Sequence, residues 1–94
     1  MRFGGNLGYE VRIKKSVLRD LNHIDKKSAS EILNFIETEL VLDPHGGKPL
    51  RGKFKGLWRY RYRQYRILYE IQENVLIVLV LRISHRKEAY KGVL

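Results

Sequence analysis

From Val75 to Leu81 every residue is apolar, reading Val-Leu-Ile-Val-Leu-Val-Leu. An unbroken apolar run of this length, bounded by a polar turn, reads as a strand covered on both faces, and so as the central strand of a layered fold. The segment before it is regular in another way. Arginine and aromatic residues alternate from Trp58 to Arg63. That is the period of a strand, with Arg59, Arg61 and Arg63 on one face and Trp58, Tyr60 and Tyr62 on the other. A tight turn near Gln64 leads into a hairpin partner, Tyr65 to Ile71. There Tyr65, Ile67, Tyr69 and Ile71 share one face and Arg66, Leu68 and Glu70 the other, and Glu73-Asn74 marks the next turn. Guanidinium groups about 7 Å apart along one strand face repel each other unless something anionic lies over them. A polyphosphate meets that demand, so the hairpin is suited to RNA or DNA.

The first half of the chain supplies what the sheet needs as cover. Tyr9 to Ile13 alternates, with Tyr9, Val11 and Ile13 apolar, and reads as a first strand. Ser16 is a candidate N-cap for a helix over about 15–24, whose apolar positions are Val17, Leu18, Leu21 and Ile24. Ser28 with Glu31 three residues on forms a capping box for a second helix over about 27–41, striped by Ile32, Leu33, Ile36 and Leu40 with Phe35 at its edge. Asp43-Pro44-His45-Gly46-Gly47 stops it. Lys48 to Gly56 then reads as a basic loop, and Ser84 to Tyr90 as a polar tail with one helical turn. The order is β-α-α-β-β-β. It predicts an α+β fold in which an antiparallel meander sheet packs against an N-terminal α-hairpin.

At 94 residues, 44% hydrophobic and 31% charged, the chain is sized for one domain, 9–94, after a Gly-rich extension, 1–8, expected to be flexible. No stretch has the apolar length of a membrane span, and Met1–Gly8 has no apolar core of a secretion signal, so a cytoplasmic protein is expected. The chain has no cysteine, which removes disulfides and thiolate metal sites. Neither a metal nor another cofactor is expected. The net charge of +9 favours anionic partners, and it is unevenly placed: from Pro44 to Tyr69 there are eight basic residues and no acid. Within that stretch Lys48, Arg51, Lys53, Lys55 and Arg63 are candidates for the phosphate backbone, joined by Lys87 in the tail.

Three segments taken together resemble a known family: Trp58-Arg59-Tyr60-Arg61, then Tyr65-Arg66-Ile-Leu-Tyr-Glu-Ile71, then His85-Arg86-Lys-Glu-Ala-Tyr90 beyond the apolar run. Their order and spacing are similar to those of the RelE/ParE superfamily of toxins from bacterial and archaeal toxin–antitoxin systems. Leu18-Arg-Asp-Leu21 and Pro49-Leu50-Arg51-Gly52 extend the likeness over nearly the whole chain from Tyr9. For a RelE-like member the resemblance implies an endoribonuclease that cleaves mRNA in the ribosomal A site. The ribose 2′-OH attacks the adjacent phosphate and leaves a 2′,3′-cyclic phosphate. It implies Arg59, Arg61, Arg66, Arg86 and Tyr90 as catalytic positions. It also implies a RelB-like cognate antitoxin as partner, besides the ribosome and mRNA.

Such chemistry needs a base for the 2′-OH, a proton for the 5′-oxygen, positive charge around the phosphorane and splayed bases for in-line attack. The arginines supply the charge, and Tyr90 can stack on a base, a contact worth roughly 1–3 kcal/mol. A guanidinium is a poor base at neutral pH, and the lysines that some members carry at the first two positions are arginines here. His85 is the remaining candidate for proton transfer, because surrounding cations would hold an imidazole neutral; its other role is packing at the strand end. His23 and His45 read as surface residues. Two other functions fit the same fold. A ParE-like inhibitor of DNA gyrase would lack nuclease activity, and a non-catalytic RNA- or ribosome-binding protein would bind without cutting.

Overall fold

The structure is a computed structural model that describes residues 8–85. Five strands form one sheet: β1 (Glu10–Ile13), β2 (Lys48–Pro49), β3 (Trp58–Tyr62), β4 (Tyr65–Gln72) and β5 (Ile77–His85). Two helices, α1 (Lys15–Asn22) and α2 (Lys26–Phe35), lie on one face, and a π-helical turn, Ile36–Leu40, continues α2. The strand order is β1-β5-β4-β3-β2, which puts β5 inside the sheet as its apolar run requires. Among the described residues no helix is long and apolar enough to cross a membrane.

The α+β layering agrees with the sequence, but the sheet is mixed and not an antiparallel meander throughout. β3, β4 and β5 pair antiparallel, whereas β1 runs parallel to β5, with Val11 opposite Val78 and Ile13 opposite Val80. This register puts the apolar residues of β1 on the helix-covered face and occupies the edge of β5 that the hairpin leaves open. The additional strand β2 was expected as loop. It is two residues long and exists through its pairing with β3, which no residue pattern announces.

The core beneath the helices contains Val17, Ile32, Ile36, Leu40, Ile67, Tyr69, Val78, Val80 and Ile83, all fully buried or nearly so. Leu18 is 58% exposed, so the inward side of α1 is Val17 and Leu21, and Ile24, just past its end, packs against the same core. On the far side of β5, Ile77, Leu79 and Leu81 are half-buried, less covered than the apolar run predicted. Val75 and Leu76 are exposed in the turn, Leu76 at φ 56°, and the strand starts only at Ile77. It also runs further than expected, through Arg82 and Ile83 and into Ser84 and His85 of the predicted polar tail.

Helix starts differ for a local reason. The N-cap of α1 is Lys14, with no side-chain cap, in place of Ser16. In α2 the Asp25 carboxylate accepts from the Ser28 N–H at 3.0 Å, so Asp25 caps in place of the Ser28–Glu31 box. That hydrogen bond is the main reason the Asp25 carboxyl titrates below its ordinary range. Near the other end the Thr38 hydroxyl donates to the Asn34 carbonyl at 2.8 Å, and the ladder widens to a π turn, with Val41 N–H reaching Ile36 O.

One tertiary hydrogen bond governs how the central strand is held. Past Val80, β1 has ended, and the Ile83 N–H on that edge donates instead to Asp20 Oδ2 of α1 at 3.0 Å. Asp20→Ala strands this donor beside a buried isoleucine and is expected to destabilise the fold by about 1–3 kcal/mol. Denaturant unfolding reads the change; a midpoint equal to wild type would remove this anchor from the account.

Candidate nucleic-acid interface

The helix-distal face of the sheet carries a grid of cations set by strand register. Arg61 of β3 lies directly opposite Arg66 of β4, which lies opposite Ser84 of β5. In the next row Arg59 faces Leu68 and Leu68 faces Arg82. Lys48 of β2 lies opposite Arg59 and extends that row at the sheet edge. Directly opposed residues have Cβ atoms about 4.5–5.5 Å apart, so Arg61 and Arg66 form a like-charge pair that favours an anion between their guanidinium groups. Among the described residues neither Arg61 nor Arg82 has a carboxylate partner. Glu70, the nearest acid along β4, accepts from the Gln72 amide at 2.9 Å.

The aromatic residues of the hairpin stay on the other face, as packing. Phe35 of α2 meets Tyr60 and Tyr62 with ring centroids 5.3 and 4.9 Å apart. Tyr69 is fully buried, and its hydroxyl donates to the Pro44 carbonyl at 2.5 Å. Burial, with Tyr60 close by, pushes the Tyr69 phenol well above the ordinary tyrosine range, which keeps it a neutral donor. Gly47 passes so close that a Cβ there would strike the Tyr69 hydroxyl and the Arg59 carbonyl. The bare glycine lets the chain swing from the Pro44 turn into β2 and set Lys48 beside Arg59. Gly46, Gly47, Lys48, Arg59, Tyr60 and Arg61 enclose a cleft of about 340 Å³ at this edge.

Two expected site residues, Arg63 and His85, sit elsewhere. Arg63 is the first residue of the hairpin turn, at φ 55°, and not a strand residue beside Arg61. Its guanidinium lies 3.6 Å from Glu31 of α2, toward the helices. The turn explains the change: two residues close the hairpin, and the alternation ends at Tyr62. His85 pairs with Tyr65 on the aromatic face, ring centroids 6.1 Å apart, and so packs at the strand end on the opposite side of the sheet from the arginines. His45, read as a plain surface residue, stands edge-on to Trp58 at 5.4 Å. His23 is exposed, with Nδ1 2.8 Å from the Arg19 carbonyl. Arg51, Lys53 and Lys55 are exposed on the loop between β2 and β3, which is closed by Leu50 N–H to Leu57 O at 2.9 Å. Arg86, Lys87 and Tyr90 lie outside the described residues, as does nearly all of the expected flexible extension, 1–8.

Two residues on the cationic face had no signal in the sequence, Arg82 and Ser84. Counting by twos from Val78 and Val80 assigns both to the core side. A β-bulge between the Leu68–Arg82 and Tyr69–Val80 pairs leaves Leu81 as an extra residue and reverses the alternation.

A clasp at the other end of the sheet ties the cleft loop down. The Tyr9 hydroxyl donates to Glu73 Oε1 at 2.7 Å, and His45 Nε2 lies 3.1 Å from Glu73 Oε2. These contacts, Tyr9 first and His45 second, hold the Glu73 carboxyl below the ordinary glutamate range. A carboxyl depressed on folding contributes stability above its unfolded value and loses it as pH falls through the folded value. Wild type is therefore expected to lose more of its thermal midpoint than Glu73→Gln as pH is lowered from about 5 to about 3. Parallel losses in the two proteins would sever the clasp from acid stability.

Comparison with known proteins places this architecture. The family model described as "ParE toxin of type II toxin-antitoxin system, parDE" matches residues 11–90. Toxin RelG of Mycobacterium tuberculosis is 32% identical over 84 residues, covering 88% of this chain and 97% of that protein. Toxin RelE of the same organism is 33% identical over 84 residues, covering 88% and 87%. Among solved structures, the toxin–antitoxin complex RelBE2 from M. tuberculosis superposes with a TM-score of 0.81 at 32% identity, over 85% of this chain and 100% of that one. A free E. coli RelE double mutant shares the fold, with a TM-score of 0.71 at 16% identity over 93% and 90% of the two chains. With a family match spanning all five strands and about one-third identity to two toxins over most of their length, this chain belongs to the RelE/ParE superfamily as a toxin of a type II toxin–antitoxin system.

Proposed function

We propose that the chain is a ribosome-dependent mRNA endoribonuclease that inhibits translation. The observation that carries this reading is the register-matched cationic grid, in which Arg61 and Arg66 stand directly opposed and Arg59 and Lys48 continue the charge to the sheet edge. An mRNA backbone lying over the grid brings its scissile phosphate between guanidinium forks. Forks of this kind bind two phosphate oxygens at once and stabilise the extra charge of the phosphorane as the 2′-OH attacks. The products are a 2′,3′-cyclic phosphate and a free 5′-hydroxyl. His85 faces the other side of the sheet, so the proton transfers fall to groups other than this imidazole. A ribosome that orients the 2′-OH in line with the leaving oxygen supplies the part of catalysis that guanidinium groups do poorly. The resemblance adds Arg86 and Tyr90, which lie outside the described residues, to the catalytic set.

A toxin of this kind requires a cognate antitoxin, and the similar structures include the RelBE2 complex of M. tuberculosis and the E. coli RelBE complex. An acidic RelB-like segment laid across the cationic face would neutralise the charge that the RNA uses. Primer extension on mRNA programmed into ribosomes, beside the same RNA free in solution, tests the reading. Cuts confined to ribosome-bound message are expected. Their absence from both samples overturns it and moves the assignment to a gyrase inhibitor, which a supercoiling assay would detect, or to a passive RNA binder.

A further inference from the structure

We propose that Arg82 and Ser84 form an inner phosphate subsite of the cationic face, taking a backbone phosphate of single-stranded RNA. The bulge at Leu81 is what brings them there. Val78 and Val80 point into the core, and two residues later Arg82 would follow them; the extra residue turns Arg82 and Ser84 outward while Ile83 closes the core behind them. Bulges beside functional sites act in this way, re-aiming side chains that strict alternation would misplace. Asp20 holds the strand just past the bulge through the Ile83 N–H.

The two side chains are also left with unused donors. Ser84 is only 8% exposed, and neither its Oγ nor the buried Nε of Arg82 has a hydrogen-bond partner among the described residues. Buried donors are nearly always satisfied, so two unsatisfied ones on a single face mark a place for an acceptor. Each sits in register with the grid: Ser84 opposite Arg66, and Arg82 opposite Leu68, which is fully buried yet separate from the main core cluster. Arg61 is solvent-exposed by contrast and forms the outer rim. The inner position removes water from the phosphate and strengthens each charge contact to it. Every group in the two rows is a donor, a cation or apolar (Lys48, Arg59, Leu68 and Arg82 in one; Arg61, Arg66 and Ser84 in the other), which fits a phosphodiester.

This subsite rests on the nucleic-acid reading but not on cleavage, and binding of a 2′-O-methyl oligoribonucleotide separates the two, because that probe lacks the attacking hydroxyl. Affinity is measured as a function of salt. Arg82→Gln is expected to weaken binding roughly 10- to 100-fold at low salt and to reduce the log–log salt slope by about 0.7, the loss of one neutralised phosphate. Arg82→Lys keeps the slope and recovers part of the affinity, which also shows that the position tolerates substitution. Ser84→Ala is expected to lose roughly threefold to tenfold in affinity with an unchanged slope, because a neutral donor releases no counterion. Lys15→Gln, on the exposed surface of α1, serves as the control and should match wild type. Wild-type affinity and slope in Arg82→Gln would overturn the subsite. So would wild-type protein that binds an acidic polyglutamate peptide and not the oligonucleotide. Tight binding that depends on Arg82, from a protein that cuts no ribosome-bound message, would reject the nuclease and leave the subsite standing.

Discussion

Arg66→Ala is expected to lower the rate of ribosome-dependent cleavage by about 10²–10³-fold, the usual consequence of removing one charged donor from a preorganised oxyanion site. Its position makes the effect large. Arg66 is the middle residue of its row, with Arg61 on one side and Ser84 on the other, so a phosphate held by any two of the three lies over it. The fold should tolerate the change, since truncation relieves the like-charge pair with Arg61. Single-turnover cleavage by purified variant and wild type, with thermal unfolding alongside, checks both halves. A rate within threefold of wild type in a folded variant would remove Arg66 from the site.

The largest stability effect is expected at Tyr69. Replacing it with alanine should destabilise the protein by about 3–5 kcal/mol, a large fraction of the roughly 5–15 kcal/mol that holds a domain of this kind together. Tyr69 has no exposed surface, its ring lies 6.4 Å from that of Tyr60, and its hydroxyl is bound to the Pro44 carbonyl. Tyr69→Phe isolates the last contact. It leaves that buried carbonyl unpaired and should cost about 1–3 kcal/mol. Because the same hydroxyl sits against Gly47, loosening it frees the turn that seats Lys48 next to Arg59. Denaturant unfolding of the two variants gives both numbers. A phenylalanine variant as stable as wild type would show that ring packing alone holds the turn.

Much of this was legible before any coordinates because it depends on short-range periodicity. The alternation at Trp58–Tyr62 made a strand with arginines on one side and aromatics on the other, and the arginine face is where register then put Arg59, Arg61 and Arg66. The apolar run at Ile77–Leu81 made an interior strand, and the stripe Ile32, Ile36 and Leu40 made a helix that covers it. Arg63 departs from the alternation because the pattern runs one residue into a turn. Of the two roles open to His85, its position beside Tyr65 favours packing at the strand end, on a strand that continues where a tail was expected.

Local periodicity alone therefore accounts for both helices, four of the five strands and the chemistry of the hairpin's outer face, because side-chain alternation and helical stripes are properties of the local backbone. Only the tertiary structure decided the parallel pairing of β1, the two-residue β2 that brings in Lys48, and the side of the sheet on which Arg82 and Ser84 emerge. Each of these depends on a partner distant in sequence: β5 for β1, β3 for β2, and β4 with Asp20 of α1 for the bulge. One inserted residue at Leu81 reverses every side chain that follows it.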